Sequence, residues 1–342
     1  METVTSSPTD SPAAAQQLLF QLTTGYIMSS ALHVAASLRI ADALADGPRN
    51  VSDLAGAAGV NTDALYRVLR TLSSVGVFVE DAPRQFANNI ASEQLRSGRP
   101  GMYDMVVWMA DPFHLQVYAN ITHSVTTGQS AAEKTVGMPV FEYFPKDPAL
   151  SERFNNAMTA FSASVIPAVL EAYDFSGINT LVDVAGGHGQ VLTSILQAHP
   201  SMHGVLGDLP HVLPGAEPRI RALGLSGRCR TEVIDFFKAV PSGGDAYIMK
   251  HIIHDWDDER AIEILNNIRR AMNPGGRVIL LESVLLPANQ PDLGKVIDIE
   301  MLLMPGGRER TEDEFRSLFE RAGFRLTRII PTKSPLSIVE AK

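Results

Sequence analysis

Residues 181–190 read LVDVAGGHGQ. Four apolar residues flank one acid, Asp183, and glycines then crowd around a single histidine. TLVDV predicts a buried strand, and QVLTSILQAHP predicts the helix that follows it. Glycines at such a junction let backbone amides approach a ligand that a Cβ would keep away. The helix N-terminus then faces the same ligand. HGVLGD, CRTEVI, DAYIMK, RVILLES, FRLTRII and LSIVEA supply further strand-like runs, alternating with helical stretches for most of that length. The alternation predicts an α/β domain with a largely parallel sheet. Only PTKSP separates the last two runs. They therefore form a hairpin, and the final strand is antiparallel.

In open α/β sheets a ligand sits at the carboxyl ends of the strands. A dinucleotide fingerprint, G-x-G-x-x-G, needs glycine at 192, where Leu192 stands. Asp183, just ahead of the Gly186, Gly187, Gly189 loop, would repel a pyrophosphate and welcome a cation. Asp208 ends the second strand, where a carboxylate accepts from ribose hydroxyls. Asp235 ends the third, placed to accept from an adenine amino group, with Phe236 placed to cover the ring. Together they point to S-adenosylmethionine, which carries a sulfonium and an ammonium and no phosphate, rather than NAD. The plainer reading of Asp183 is a satisfied buried carboxylate, and of Phe236 and Phe237, core.

The chain has 342 residues, a net charge of −9 and 45% hydrophobic residues. That length accommodates two domains, and the acidic balance argues against nucleic acid. A single cysteine, Cys229, suits a reducing cytoplasm. The N-terminus lacks a basic segment and an apolar core, so no secretory signal is expected, and no apolar run is long enough to span a membrane. Residues 1–13 read as a disordered tail. From Ala14 to about Ala172 the chain reads mostly helical, opening with two helices apolar on several faces, which suggests packing against a second subunit. Asn50 or Ser52 can cap the next short helix and Asn61 the one after. GVFVED then opens a hairpin, completing a helix-turn-helix and wing pattern. The second helix offers only Arg67 and Arg70 beside Asp63, poor equipment for phosphate contacts. Residues 102–126 and 147–174 read as long helices around a looser segment holding Pro139 and Pro145.

The fourth strand of the α/β half runs into MKHIIHDWDDERA. Lys250 closes the strand; His251 and His254 follow. Asp257, Asp258 and Glu259 suit a helix N-terminus. The spacing H-x-x-H-D is not a specific metal pattern, and no metal is expected. A histidine at the mouth of this site can act as general base. A phenol has a pKa of roughly 10 and a neutral imidazole one near 6.5, so deprotonation must be concerted with attack on the methyl group. A carboxylate that stabilises the imidazolium assists it. Glu282 and Glu309 both fall on the carboxyl side of the sheet; the residues alone place neither beside His254.

LVDVAGGHG, GDLPHV, IDFF, YIMKHIIHDWDD, ILNNIRRAMNPGGRVILLE and PGGRERT, in that order, resemble the small-molecule O-methyltransferase family, in its bacterial secondary-metabolite branch. The resemblance covers nearly the whole chain. It implies a Rossmann-like class I methyltransferase sheet of seven strands, the last antiparallel, behind an all-helical winged-helix dimerisation domain. The implied divisions are 14–100 for that domain, 101–175 for a helical linker and acceptor-pocket segment, and 176–342 for the cofactor domain. It implies that His254 is the base, oriented by Glu282 and Glu309. It matches Gly187, Asp208, Asp235, Phe236 and Lys250 to cofactor contacts, with Leu209 beside them. In FNNAMTAFS it implies that Met158 lines the acceptor pocket and that Ser162 reaches the cofactor carboxylate. Tyr103, Met109, Phe113, His114, Phe161, Asp255 and Met304 are the further acceptor-pocket candidates. Two departures stand near the cofactor: Ala185 and Ile234, where the family often has glycine.

The expected reaction is methyl transfer in line from S-adenosylmethionine to a phenolic hydroxyl of an aromatic small molecule. S-adenosylhomocysteine is the product, and the enzyme is a cytoplasmic homodimer. Members of such a family can keep the cofactor and catalyse a hydroxylation, decarboxylation or pericyclic step instead. A winged-helix regulator is the remaining alternative. The acceptor itself is not legible.

Overall fold

The computed structural model describes residues 11–342. Of the tail expected over residues 1–13, residues 1–10 lie outside the described ones. Ser11 caps a helix that begins at Pro12, so the expected tail reaches too far. The chain divides into two compact units, up to residue 114 and from residue 115. No described helix is long and apolar enough to cross a membrane.

In the first unit the opening apolar stretch is two helices, as expected, a long one, Pro12–Ser37, and a single turn, Ile40–Ala43. Asn50 caps Val51–Ala58 by accepting from the Ser52 amide at 3.0 Å, and Asn61 caps Thr62–Ser74 through Ala64 at 2.9 Å. Leu54, Leu65, Leu69 and Leu72 bury the facing sides of these helices with Phe78 and Phe86. The unit is not all helical. Strands β1 (Arg49–Asn50), β2 (Val79–Ala82) and β3 (Gln85–Ala87) form a small antiparallel sheet ordered β1-β3-β2, which is the wing. The helix expected over 102–126 is three pieces, Tyr103–Met109, Pro112–Tyr118 and Ile121–Thr127. Pro112 has no N–H to continue the first of them.

The second unit is built on seven strands: β4 (Thr180–Val184), β5 (His203–Asp208), β6 (Cys229–Val233), β7 (Ala246–Lys250), β8 (Arg277–Glu282), β9 (Leu326–Pro331) and β10 (Ser337–Ala341). Their order is β6-β5-β4-β7-β8-β10-β9. β4 to β8 pair in parallel, and β10 is antiparallel to both β8 and β9. Successive side chains alternate faces. Leu181, Ile248, Ile279 and Leu281 therefore join one core with helix Gln190–Ala198. Val182, Val184, Tyr247 and Met249 join the other with helices Asp258–Ala271 and Glu312–Arg321. The chain winds outward from β4 through β5 to β6, then restarts at β7 on the other side. That reversal between β4 and β7 opens a crevice at the strands' carboxyl ends.

Candidate active site

Strands β5 to β8 end in, or run into, charged side chains. Asp208 closes β5, Asp235 follows β6, Lys250 closes β7 and Glu282 closes β8. After β4 the backbone turns left-handed at Ala185 and enters the glycine loop. Gly186 has no room for a side chain. A Cβ there would lie 2.5 Å from Cγ of Asp183 and would strike Leu206. Asp183 lies under this loop, 1% exposed; a backbone hydrogen bond from Leu192 reaches it, while its Oδ2 has no partner. Burial, reinforced by the Asp208 carboxylate, raises it to about 7. Asp208 accepts from the Gly187 amide through Oδ2 and the Leu209 amide through Oδ1, both at 2.7 Å. It braces the loop, and burial lifts its pKa above the ordinary carboxylate value. Gly189 is the left-handed N-cap of helix Gln190–Ala198.

These elements wall a cavity of about 470 Å³, a size typical of small-molecule sites. Gly186, Gly187, Asp208, Leu209, Asp235, Phe236, Lys250 and Ser162 line it, with Met158 and Asp255. Ser162 donates its hydroxyl hydrogen to the Met158 carbonyl at 2.7 Å, which leaves its oxygen as an acceptor. Asp235 pairs with Lys238 at 2.9 Å and accepts from the Phe237 amide, interactions that hold it below its ordinary value. Phe236 and Phe237 are not simple core. Both meet Trp256 edge-on, at 6.0 and 4.7 Å, and all three line the cavity. Sequence reasoning misses Trp256; the HDW string holds it without announcing an aromatic partner. Asp183, Gly189, Phe161 and Met304 stand outside the cavity wall. Phe161 stacks on the wall residue His251, and Met304 is buried with its carbonyl bound by Ser130. Tyr103, Met109, Phe113 and His114 belong to the first unit. There His114 is buried edge-on against Trp108 at 4.4 Å, and Met109 is exposed.

His254 sits in the short turn Ile253–Asp255 after β7. Its Nδ1 is 2.7 Å from Glu309 Oε1 and 3.6 Å from Glu282 Oε2, and its Nε2 is 3.5 Å from Asp255 Oδ1. The two glutamates act differently. Glu309 holds the ring. Glu282 holds the backbone, accepting from the Ile252 and Ile253 amides at 3.1 and 3.0 Å. Arg310, fully buried, grips the same turn by donating to the carbonyls of Ile253 and Trp256 at 3.1 and 2.9 Å, and it is anchored on Asp258. The Arg308 amide donates to the His254 carbonyl at 2.7 Å. Gly307 permits that approach, because a Cβ there would fall on the His254 carbonyl oxygen. Arg310 and Gly307 are invisible in the sequence, since nothing in PGGRERT ties it to a histidine more than fifty residues before it.

Carboxylates crowd this corner. Burial raises Asp255 to about 7, and burial with the Asp298 carboxylate raises Glu309 to about 8. Glu282 is raised too, chiefly by burial. Burial lowers Lys250 to about 8 against the pull of Glu282, Asp183 and Asp255. Asp257 accepts from the Arg260 amide at 2.9 Å and caps helix Asp258–Ala271, the structural role expected of it.

A family model for the O-methyltransferase domain matches residues 118–325, and one for the O-methyltransferase dimerisation domain matches residues 20–97. The chain belongs to the O-methyltransferase family. It is 42% identical to a phenazine O-methyltransferase of Lysobacter antibioticus, over 95% of each chain. The solved structure of LaPhzM superposes with a TM-score of 0.93, covering 96% of this chain and 99% of that one at 42% identity. A neocarzinostatin-biosynthesis O-methyltransferase was solved with S-adenosylmethionine and 2-hydroxy-5-methyl naphthoic acid. It superposes with a TM-score of 0.80 at 33% identity, covering 92% of this chain and 95% of that one. The family's cofactor is S-adenosylmethionine, and the donor set fits it. The glycine cradle leaves no room for a Cβ at Gly186, and a buried acid whose Oδ2 has no partner lies beneath it, where a cationic ligand is favoured over a phosphate. Acids end β5 and follow β6, and they line the same cavity as the ring cluster.

Proposed function

We propose that this O-methyltransferase methylates a phenolic hydroxyl of an aromatic small molecule, with His254 as general base. The observation that carries the reading is the 2.7 Å contact between His254 Nδ1 and Glu309 Oε1. Ionised, as it is above its raised value of about 8, Glu309 claims the hydrogen of Nδ1 and leaves Nε2 as the acceptor. Glu309 then stabilises the imidazolium formed when Nε2 takes the phenolic proton. Bound S-adenosylmethionine supplies a methyl group on cationic sulfur, and because it departs as a neutral thioether the transfer asks for no acid and no metal. Asp208 and Asp235 would hold its nucleoside, Phe236 and Trp256 would flank the base, and Ser162 and Lys250 would meet its amino-acid end. Met158 and the aromatic wall suit a flat acceptor. The chain works as a homodimer through its first unit, in the cytoplasm.

The test is mass spectrometry of the purified protein with methyl-labelled S-adenosylmethionine and a panel of phenazine, naphthoate, anthraquinone and flavonoid phenols. A labelled methyl ether with stoichiometric S-adenosylhomocysteine is expected. His254→Ala should lower kcat by about 10²–10⁴-fold, the usual worth of a general base, while cofactor Kd changes less than threefold. A comparable loss of cofactor affinity in that variant would remove His254 from the role of base.

A further inference from the structure

His251 has no part in the proton transfer described above, yet its ring and backbone are both held in unusual ways. Its backbone is left-handed, with φ 53°, a conformation disfavoured for any residue with a Cβ. Among described residues five other non-glycines share such backbone, and one of them, Ala185, lines the same cavity. Strain of this kind persists where the surroundings enforce it. Here it sets the imidazole between two rings. One face lies on His254, centroids 4.4 Å apart and planes at 26°; the other lies on Phe161, at 5.1 Å and 17°. The ring also lines the cavity. Its Nε2 is buried and unpartnered, so that nitrogen does not anchor the ring. Burial, with His254 and Lys250 adding to it, holds His251 well below the ordinary histidine value and therefore neutral.

Donor atoms of His251, His254 and Glu282 come within 4.8 Å of one another, as a metal site would require. The imidazoles, however, are stacked. Near-parallel rings send their in-plane lone pairs side by side rather than toward one ion, so the arrangement is ring packing, not chelation.

We propose that His251 is a positioning residue for methyl transfer, a flat neutral backing that keeps the His254 ring from swinging. The need is geometric. The Glu309 contact restrains the His254 ring at Nδ1 and leaves it freedom to tilt out of its own plane. A ring against its face removes that freedom and holds Nε2 in place. A neutral aromatic face also attracts the imidazolium when it forms. The proposal rests on His254 being the base.

Two variants separate ring from nitrogen. His251→Phe keeps a flat ring. His251→Asn removes the ring with a residue that tolerates left-handed backbone. With histidine-selective labelling, the His254 ring resonance in NMR should lose its stacking shift and broaden in His251→Asn and recover in His251→Phe. Turnover should follow: kcat down at least tenfold in the asparagine variant, acceptor KM and cofactor Kd within threefold, and kcat restored to within about threefold by phenylalanine. An undisturbed His254 resonance in the asparagine variant overturns the proposal. So does a phenylalanine variant as slow as asparagine, or a loss confined to KM. A wild-type protein that transfers to no acceptor counts against the methyl-transfer reading instead, and the NMR result then decides the stack alone.

Discussion

Asp183 carries the clearest pH dependence in the site. Its carboxyl is raised to about 7 in the folded protein, against an ordinary value of 3.8. The folded chain therefore keeps a proton between about pH 4 and 7 that the unfolded chain has released. Stability contributed by this group is present at low pH and fades as pH rises through about 7. Cofactor binding runs the other way. S-adenosylmethionine is cationic at sulfur, so its affinity should rise as pH climbs from 6 to 8 and the acid ionises. S-adenosylhomocysteine, lacking that charge, should show a shallower slope. Calorimetric titration at several pH values checks this. Asp255 and Glu309 titrate in the same window, so Asp183→Asn is the decisive control: an unchanged slope in that variant would assign the effect elsewhere. The identity of Asp183 as an unusual acid is readable from its place before a glycine loop. Its depth is not, because the contacts that bury it come from Leu206 and the loop's own backbone. The same limit applies to His254. HDW marks a candidate base, but Glu309 reaches it only through a fold that brings residues 254 and 309 together.

Junctions between strand and helix decide the site's shape. Gly186→Ala should cost about 1–3 kcal/mol of stability, because its Cβ meets the Asp183 carboxylate and Leu206 at once. It should also weaken cofactor binding at least tenfold. Gly227→Ala, an exposed position with nothing within 4 Å, should leave melting temperature and affinity unchanged. Equal effects in the two variants would show that glycine flexibility, rather than close approach, is what the loop uses. The seven strand-like runs are legible because buried strands are short apolar runs ending in turn residues. The antiparallel last strand follows from the short PTKSP link. Its insertion between β8 and β9 does not, because a hairpin sets which strands pair and not which of them meets the rest of the sheet. The three-part helix over 103–127 escapes sequence reading for a local reason: apolar spacing continues across Pro112 although the backbone cannot.

At the scale of the molecule, helix Pro12–Ser37 leaves Leu19, Phe20, Leu22 and Tyr26 between 63% and 70% exposed. An apolar face of that size on one helix needs a covering surface, and it coincides with the start of the dimerisation domain. Sedimentation should find the wild-type protein as a dimer, and the Phe20→Glu, Leu22→Glu pair should shift it toward monomer while the second unit still binds cofactor. A variant that stays dimeric would move the interface off this helix. A subunit contact is legible in the residues themselves, because this stretch is apolar on more than one helical face. The sheet of the second unit has a different consequence, one for synthesis. β10 lies between β8 and β9, and it alone joins β9 to the rest. While the chain is being translated, β8 emerges with an open edge, and β9 emerges with nothing to pair to. Both wait for residues 337–341 to clear the ribosome. Glu282, which steadies the His254 turn, ends that open strand. Until β10 seats between its neighbours the nascent chain therefore carries an exposed strand edge, a natural target for chaperones.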